Sequence, residues 1–474
     1  MFDGIVEDRV LVPFAGDGAG TAPLTWGQKA ILQDMRETGW THNTSGAHKL
    51  IEGTVEEVAT LLGEAVGRRP ALRFRLGTGP DGEPCQVIAG SGELPLSVMT
   101  VPDDADPDDA TSYTNDLWFS WLMTPFDLYQ DWPLKVAVVK HRGEAVYWVL
   151  CFNHLVTDGI SCLLLMADLG FDYTVPTGKG GEPPVGLLEL GRLEQTPRLR
   201  QVSDRAMRYW EGHLRGIPPL TFGLPRYPEG RQGKRYWHGR FGSPAAYLAM
   251  LAIAQRTGTD TSRVLLAIIA AAIGRAMELD SVTARVVMNN RFRPGFAEAI
   301  AQLTQNSVLT LDLADQTVDE LVAQTRRALL IAGMHSYYDP DDLERLMARL
   351  DDERGYPARI SLRINDRRMS TRQATEAARS AEVTMAEIER RLPETFLSWD
   401  GTIDYLHEQA FITIEDRPET VYLQLIFDMT AFTSEQVESL LHGIEQIAVS
   451  AAFDPAVLSL PDGVGCAADP EPAG

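Results

Sequence analysis

Cysteine is scarce in this chain. Among 474 residues there are four, Cys85, Cys151, Cys162 and Cys466, scattered so that no two stand in the CxxC spacing of a metal or redox pair and no dense disulfide framework can form. The expectation is free thiols in a cytoplasmic protein. Positive charge is short as well, with 43 Lys and Arg against 66 Asp and Glu and a formal charge of -23. That balance opposes binding to nucleic acid or to an anionic membrane through a general basic field. No apolar stretch reaches the ~20 residues of a membrane-spanning helix, and Met1-Phe2-Asp3-Gly4-Ile5-Val6-Glu7-Asp8 lacks the charged-then-apolar pattern of a signal peptide. No G-x-S-x-G elbow precedes a histidine, which argues against a Ser-His-Asp hydrolase. No internal repeat is visible.

The length exceeds that of most single domains, so two domains or lobes with ample core are expected. Val175-Pro176-Thr177-Gly178-Lys179-Gly180-Gly181-Glu182-Pro183-Pro184 is too rich in Gly and Pro for regular structure. The division predicted is an N-terminal lobe over 1–174, a linker over 175–190, a C-terminal lobe over 191–460 and a disordered tail over 461–474.

The candidate chemistry lies in Cys151-Phe152-Asn153-His154-Leu155-Val156-Thr157-Asp158-Gly159-Ile160. Upstream, AVYWVLCFN (Ala145 to Asn153) has the length and composition of a strand buried on both faces, which puts His154 at a strand end. Downstream, Ile160 to Leu169 is apolar enough for a buried helix. Leu155 to Gly159 is then a strand-to-helix turn, in which Gly159 can bring bare backbone close to a ligand. A histidine placed there can be held rigidly while facing a cavity. The same residues also admit a plainer reading, with His154 a satisfied interior histidine and Asp158 a helix N-cap. His154 and Asp158 stand four residues apart but have no third ligand nearby, so no metal is expected.

Local signals place the other elements. Thr25-Trp26-Gly27-Gln28, Thr54-Val55-Glu56-Glu57, Thr317-Val318-Asp319-Glu320 and Thr433-Ser434-Glu435-Gln436 read as helix-opening caps. Leu72 to Leu76 and Cys85 to Ala89 read as a hairpin, and Leu134 to Lys140 is expected to pair with the His154 strand through His141-Arg142-Gly143-Glu144. Asp103 to Asp109 reads as a solvated loop, Trp118 to Met123 as part of a helix and Thr261 to Glu278 as a long apolar helix. Ala284 to Asn289 and Val421 to Met429 read as strands, and Gln373 to Arg391 as an exposed helix.

Asn153-His154-Leu155-Val156-Thr157-Asp158-Gly159 resembles the HHxxxDG signature of nonribosomal peptide synthetase condensation domains, a family in the chloramphenicol acetyltransferase-like superfamily, with Asn153 in place of the first histidine. Other stretches resemble the family's remaining motifs in the same order. They are Leu24 to Ile31, Arg68-Arg69-Pro70-Ala71-Leu72-Arg73-Phe74-Arg75 (compare RHExLRTxF), Tyr209-Trp210 and Asn289-Asn290-Arg291-Phe292-Arg293-Pro294. After these come Gln305-Asn306-Ser307-Val308, His335 to Pro340 and Ile364-Asn365-Asp366-Arg367-Arg368. The resemblance spans roughly Ala22 to Phe453. It implies an α/β fold of two chloramphenicol-acetyltransferase-like lobes, each a mixed sheet with helices, arranged in a V around a central substrate tunnel.

The resemblance also implies roles. His154 maps onto the catalytic histidine, Asn153 onto an orienting position, and Asp158 onto an aspartate that pairs with Arg291 and ties the turn to the second lobe. A histidine that titrates near neutrality suits removal of a proton from an attacking amine or hydroxyl. The Gly159 amide, at a helix start, is placed to donate toward an oxyanion. Arg293, Asn306, Asn365 and Arg367, with Arg368 beside it, are candidate contacts for substrate or pantetheine. The implied activity is that of a free-standing condensation enzyme. It moves an acyl or aminoacyl group from the phosphopantetheine thioester of a carrier protein, met in trans, to an amine or hydroxyl acceptor, with no bound cofactor and no nucleic acid or membrane partner. A coenzyme A-dependent acyltransferase on the same fold and a catalytically inactive recruitment domain are the alternatives; an epimerase is a weaker one.

Overall fold

The computed structural model describes residues 5–50, 53–173, 183–218, 222, 235–368, 383–403, 406 and 408–461. They fall into two compact units. One comprises Met1–Gln201 with Asn289–Gln305, the other Val202–Met288 with Asn306–Gly474.

The first unit runs β1 (Val6–Ala15), β2 (Gly20–Pro23), α1 (Trp26–Thr38), β3 (Asn43–Lys49), α2 (Val55–Arg68), β4 (Phe74–Thr78), β5 (Pro84–Ile88), β6 (Ser91–Val101), α3 (Pro107–Met123), β7 (Leu134–His141), β8 (Glu144–Asn153), α4 (Gly159–Asp168) and α5 (Leu187–Leu193). Five strands form a mixed sheet in the order β1-β6-β7-β8-β3, in which the β6–β7 pairing is parallel and the others antiparallel. From Trp148 to Asn153, β8 is buried without interruption between β7 and β3, which explains why its sequence runs apolar instead of alternating. The β7–β8 turn uses Arg142 at φ 52° and Gly143 at φ 81°, the left-handed pair that a tight hairpin needs. The hairpin expected upstream is β4–β5, joined by β2 in a smaller antiparallel sheet.

Three sequence expectations need correction in this unit. Asp103 to Asp109 is not loop throughout: α3 begins at Pro107 with Asp106 as its N-cap and Asp108 and Asp109 in the first turn, where acidic side chains meet the positive end of the helix dipole. The chain divides after Gln201, not within 175–190. The cause is α5: the Gln86 Nε2 donates to the Leu187 carbonyl at 3.2 Å, and the Trp26 backbone N–H donates to the Glu194 carboxylate at 2.7 Å. Residues 174–182 of the expected linker lie outside the described residues. Finally, Asn289–Gln305 leaves the second half of the sequence to join the first unit. Gly27 permits this, because a Cβ there would stand 1.9 Å from the Gln302 carbonyl oxygen, an approach open only to glycine.

The second unit takes in α6 (Pro197–Leu214) from Val202 onward, β9 (Tyr236–Ser243), α7 (Pro244–Thr257), α8 (Thr261–Met277), β10 (Ser281–Met288), β11 (Gln305–Asp312) from Asn306 onward, α9 (Val318–Met334), α10 (Pro340–Arg354), β12 (Leu362–Asp366), α11 (Met385–Arg391), β13 (Phe396–Ile403), β14 (Ala410–Glu415), β15 (Val421–Asp428) and α12 (Ser434–Ala451). Its seven-stranded mixed sheet has the order β11-β10-β12-β14-β15-β9-β13. The alternate residues Leu362, Ile364, Ile412, Ile414, Leu423, Leu425 and Phe427 form one core with the apolar residues of α7, α8 and α12. The caps read at Thr25, Thr54, Thr317 and Thr433 all form capping boxes. Of the helix expected over Gln373 to Arg391, Met385–Arg391 is helical, while residues 373–382 lie outside the described residues. So do Cys466 and the tail from residue 462.

Among the described residues no helix is long and apolar enough to cross a membrane, and no three His, Cys, Asp or Glu side chains gather to hold a metal ion.

Candidate active site

At the end of β8 the chain stops pairing as a strand and turns into α4, and the turn is fixed from both sides. Asn153 is fully buried. Its amide nitrogen donates to the Thr41 carbonyl at 3.1 Å and to the Asn43 side-chain oxygen at 3.0 Å, and its own oxygen accepts from the Leu155 N–H at 2.9 Å. Asn43 in turn donates to the carbonyls of Trp121 and Thr124 at the end of α3. Every polar group of the Asn153 amide therefore has a role, and that role is to shape the backbone on either side of His154.

His154 is half-buried. Its backbone N–H donates to the His42 carbonyl at 2.8 Å. Ring Nδ1 lies 2.8 Å from the Thr157 carbonyl, and Nε2 lies 2.8 Å from Oγ1 of Thr44. A carbonyl can only accept, so Nδ1 carries the proton and the lone pair of the neutral ring is on Nε2. This is the tautomer a general base requires, set by a backbone oxygen three residues away. His42 stands beside it, with ring centroids 6.5 Å apart, and its Nε2 is bonded to the Asp34 carboxylate.

Asp158 has two jobs. Its Oδ1 caps α4 by accepting from the Ser161 N–H at 2.8 Å, and the same oxygen takes Nη2 of Arg291 in an ion pair. Oδ2 accepts from the Leu303 N–H at 3.3 Å and the Thr304 hydroxyl at 3.4 Å. Arg291 also donates to the Ser161 hydroxyl at 2.8 Å and to the carbonyls of Phe296 at 3.1 Å and Ala299 at 2.6 Å. The ion pair stands as expected, but it lies within the first unit, since Asn289–Gln305 belongs there. It locks the turn to the crossing segment.

Gly159 is the first residue of α4 and is exposed, so its amide is one of the first-turn donors that helix geometry leaves without an intrahelical partner. Arg293 is in the same unit, 5.2 Å over the Phe292 ring and donating to Asn290 at 3.3 Å. The remaining candidates belong to the second unit. Asn306 is the second residue of β11 and Asn365 the fourth of β12, both half-buried. Arg367 is exposed and paired with Glu415 at 3.2 Å, and Arg368 is buried and paired with Asp366 at 2.6 Å. Burial would raise the Asp366 carboxyl, but Arg368 outweighs it and holds that group below the ordinary aspartate range.

Sequence reading missed Thr44, Asn43, His42 and Asp34. Thr44 reaches His154 only because β3 pairs antiparallel with β8, setting Thr44 opposite Phe152. The polar run Asn43-Thr44-Ser45-Gly46 was the available signal, since a strand rich in hydroxyl and amide groups beside the most apolar strand of the unit has to serve polar partners. Two thiols lie near the turn. Burial pushes Cys151 up to about 11 and Cys162 up to about 12, which keeps both as unreactive thiols at neutral pH.

A family model described as "Condensation domain" matches residues 19–389. Phosphinothricin tripeptide synthetase PhsC of Streptomyces viridochromogenes is 28% identical over 358 residues, 67% of this chain and 32% of PhsC, so the chain spans about a third of that relative's length. The condensation-domain structure concerned with chain release from the enacyloxin polyketide synthase is similar at a TM-score of 0.68 and 18% identity. It covers 94% of this chain and 85% of its own. The X-domain from teicoplanin biosynthesis, solved in complex with OxyB, is similar at a TM-score of 0.64 and 16% identity, covering 94% of this chain and 96% of its own. At these identities the two structures speak for the fold.

Proposed function

The chain belongs to the condensation-domain family, and on that premise we propose that it transfers an acyl or aminoacyl group from a phosphopantetheine thioester to an amine or hydroxyl acceptor. The observation that carries this reading is the state of His154, whose Nδ1 is held on the Thr157 carbonyl so that Nε2 is the basic nitrogen. In the proposed reaction the nucleophile attacks the thioester carbon and its proton passes to His154. The carbonyl oxygen takes up negative charge near the Gly159 amide and the positive end of α4, and the C–S bond breaks as the proton is delivered to the thiolate. Asn153, Asp158 and Arg291 hold the turn and stay out of the proton path. No side-chain nucleophile is needed, so the transfer is direct.

The donor is proposed to arrive on a carrier protein in trans, with Arg293, Asn306, Asn365 and Arg367 as candidate contacts for the arm or the acceptor; the setting proposed is the cytoplasm. Coenzyme A thioesters are the alternative donor. A screen of carrier-bound and coenzyme A-bound acyl and aminoacyl groups against amines and alcohols, read by intact mass, tests both. Turnover that His154→Ala abolishes supports the proposal; turnover that survives His154→Ala refutes the role of this histidine. Asn153 at the position of the family's first histidine favours a second reading, a catalytically inactive domain that recruits other proteins; the X-domain from teicoplanin biosynthesis is solved in complex with another protein, OxyB. The intact hydrogen bonding of His154 weighs against it.

A further inference from the structure

His154 does not meet solvent or substrate with a bare Nε2. The Thr44 hydroxyl is 2.8 Å from that nitrogen, and because Nδ1 spends its proton on the Thr157 carbonyl, the hydroxyl must be the donor and Nε2 the acceptor. A nucleophile that approached Nε2 directly would have to displace this bond. One that approached Thr44 would not, because Oγ1 keeps lone pairs free to accept while its proton points at the ring. Thr44 is half-buried, and its place in β3 is fixed by pairing with Phe152 of β8, so the hydroxyl cannot drift away from the histidine without breaking the sheet edge.

We propose that Thr44 is a catalytic residue of the transfer, a proton relay between the attacking nucleophile and His154. The inference rests on the proposed acyl transfer. The nucleophile's lone pair forms the bond to the thioester carbon, and the carbonyl π pair moves to oxygen. The nucleophile's N–H or O–H proton passes to Oγ1 of Thr44 as the Thr44 proton passes to Nε2, which leaves a neutral threonine and an imidazolium. On collapse the oxygen pair re-forms the carbonyl, the C–S bond breaks, and the proton returns from Nε2 through Oγ1 to the thiolate. Threonine and imidazole both end as they began. Two protons move in each direction, and this distinguishes the relay from a threonine that only steadies the ring.

One arm of the test needs no substrate. In protein carrying ¹⁵N-labelled histidine, neutral His154 should show the proton on Nδ1 and a hydrogen-bonded acceptor at Nε2, and Thr44→Val should shift the Nε2 resonance toward that of an unbonded acceptor. A proton resident on Nε2 in the wild-type protein overturns the proposal. The other arm uses the donor and acceptor that turn over in the mass-read screen. Thr44→Val should lower kcat by about 10²-fold, the scale of positioned proton transfer, with KM little changed, while Thr44→Ser, which keeps the hydroxyl, should hold kcat within about tenfold of wild type on that same scale. Rates in H₂O–D₂O mixtures should follow a curved dependence for wild type and Thr44→Ser. A Thr44→Val enzyme at wild-type kcat, a serine variant as slow as the valine one, or a linear isotope dependence each overturns the relay. If His154→Ala itself retains wild-type kcat, the acyl-transfer reading of this site fails instead, which separates the two failures.

Discussion

Arg291 reaches across 133 residues of sequence to Asp158, with 6% and 2% of their side chains exposed, and the pair holds the turn that carries His154. Neither charge has water to fall back on. Removing one therefore strands the other, and the cost of a stranded buried charge, roughly 3 to 5 kcal/mol, exceeds what the pair itself contributes. Asp158→Ala and Arg291→Met should each lower unfolding stability by about that amount in urea titrations, and the double variant should lose much less than the sum, because no lone charge remains. Arg293→Ala should sit near wild type, since that guanidinium lies over Phe292 and bonds Asn290 instead. An Asp158→Ala protein as stable as wild type would remove the structural role assigned here and reopen Asp158 as a catalytic group.

His154→Ala should show the opposite division. The ring and the Thr44 hydroxyl are half-buried, and only the fully buried Thr157 carbonyl loses its partner, so stability should fall by no more than the cost of one unpaired buried group, about 1 to 3 kcal/mol. Turnover should fall by roughly 10² to 10⁴. Thermal unfolding beside a saturating-substrate assay checks both halves, and a variant retaining more than about a tenth of the rate contradicts the assignment.

The parts of this site that sequence reveals are those written in local pattern. The unbroken apolar run ending at Asn153 gave β8 because a strand buried on both faces cannot alternate, and Asp158 before an apolar run is an N-cap by residue type alone. The Asp158–Arg291 pairing came from motif resemblance, since nothing in either segment names the other. Thr44 was invisible for a different reason: a threonine in a polar heptapeptide gains its role only through register with a strand 110 residues away. The crossing of Asn289–Gln305 into the first unit was hidden in the same way, and its one local trace, Gly27 inside a capping box, reads as an ordinary helical glycine until the Gln302 carbonyl is set against it. The linker estimate failed because composition reports where regular structure is unfavourable, whereas a unit boundary depends on where contacts end.

Asn153→Ala tests whether the amide shapes the turn. The change leaves the Leu155 N–H, the Thr41 carbonyl and the Asn43 oxygen without their partner, and each buried group left unpaired costs about 1 to 3 kcal/mol. A loss of at least about 2 kcal/mol together with reduced turnover is expected. Asn153→Asp should be worse near neutral pH, because a carboxylate keeps the bond to Leu155 but faces two acceptor oxygens. If aspartate is tolerated better than alanine, the donor role of the amide is misassigned.

The thiols give a test by pH. Burial raises Cys151 to about 11 and Cys162 to about 12, so at pH 8 both stay overwhelmingly in the unreactive thiol form. Iodoacetamide at pH 8 should leave both unmodified in the native protein and alkylate both once urea is added, as peptide mass mapping would read. Labelling of either in the folded protein at rates typical of a free thiol contradicts their burial.

Arg73 offers the strictest test of how one charged side chain organises the first unit. It is fully buried, and its guanidinium is spread over five backbone carbonyls. Nε donates to Val66 at 3.1 Å, Nη1 to Gly16 at 3.0 Å and to Ala89, and Nη2 to Asp17 and to Gly67 at 3.4 Å. These oxygens come from the loop after β1, the last turn of α2 and the residue after β5, three segments that the one guanidinium joins at a single point. Only the planar fork of arginine matches the set. A lysine has three donors on a single atom and cannot reach them together, so Arg73→Lys should fall well short of rescue although the charge is kept. Arg73→Met removes the charge and leaves the carbonyls buried and unpaired, a loss of at least about 3 kcal/mol at 1 to 3 kcal/mol for each group. Hydrogen exchange should localise the damage. The Gly16 amide, which donates to the Gly90 carbonyl, and the Ala89 amide, which donates to the Arg73 carbonyl, should lose protection before the amides of β8 do. A methionine variant that unfolds at the wild-type urea concentration, with those two amides still protected, would show that the carbonyls are held by the chain itself and that Arg73 merely fills the space between them.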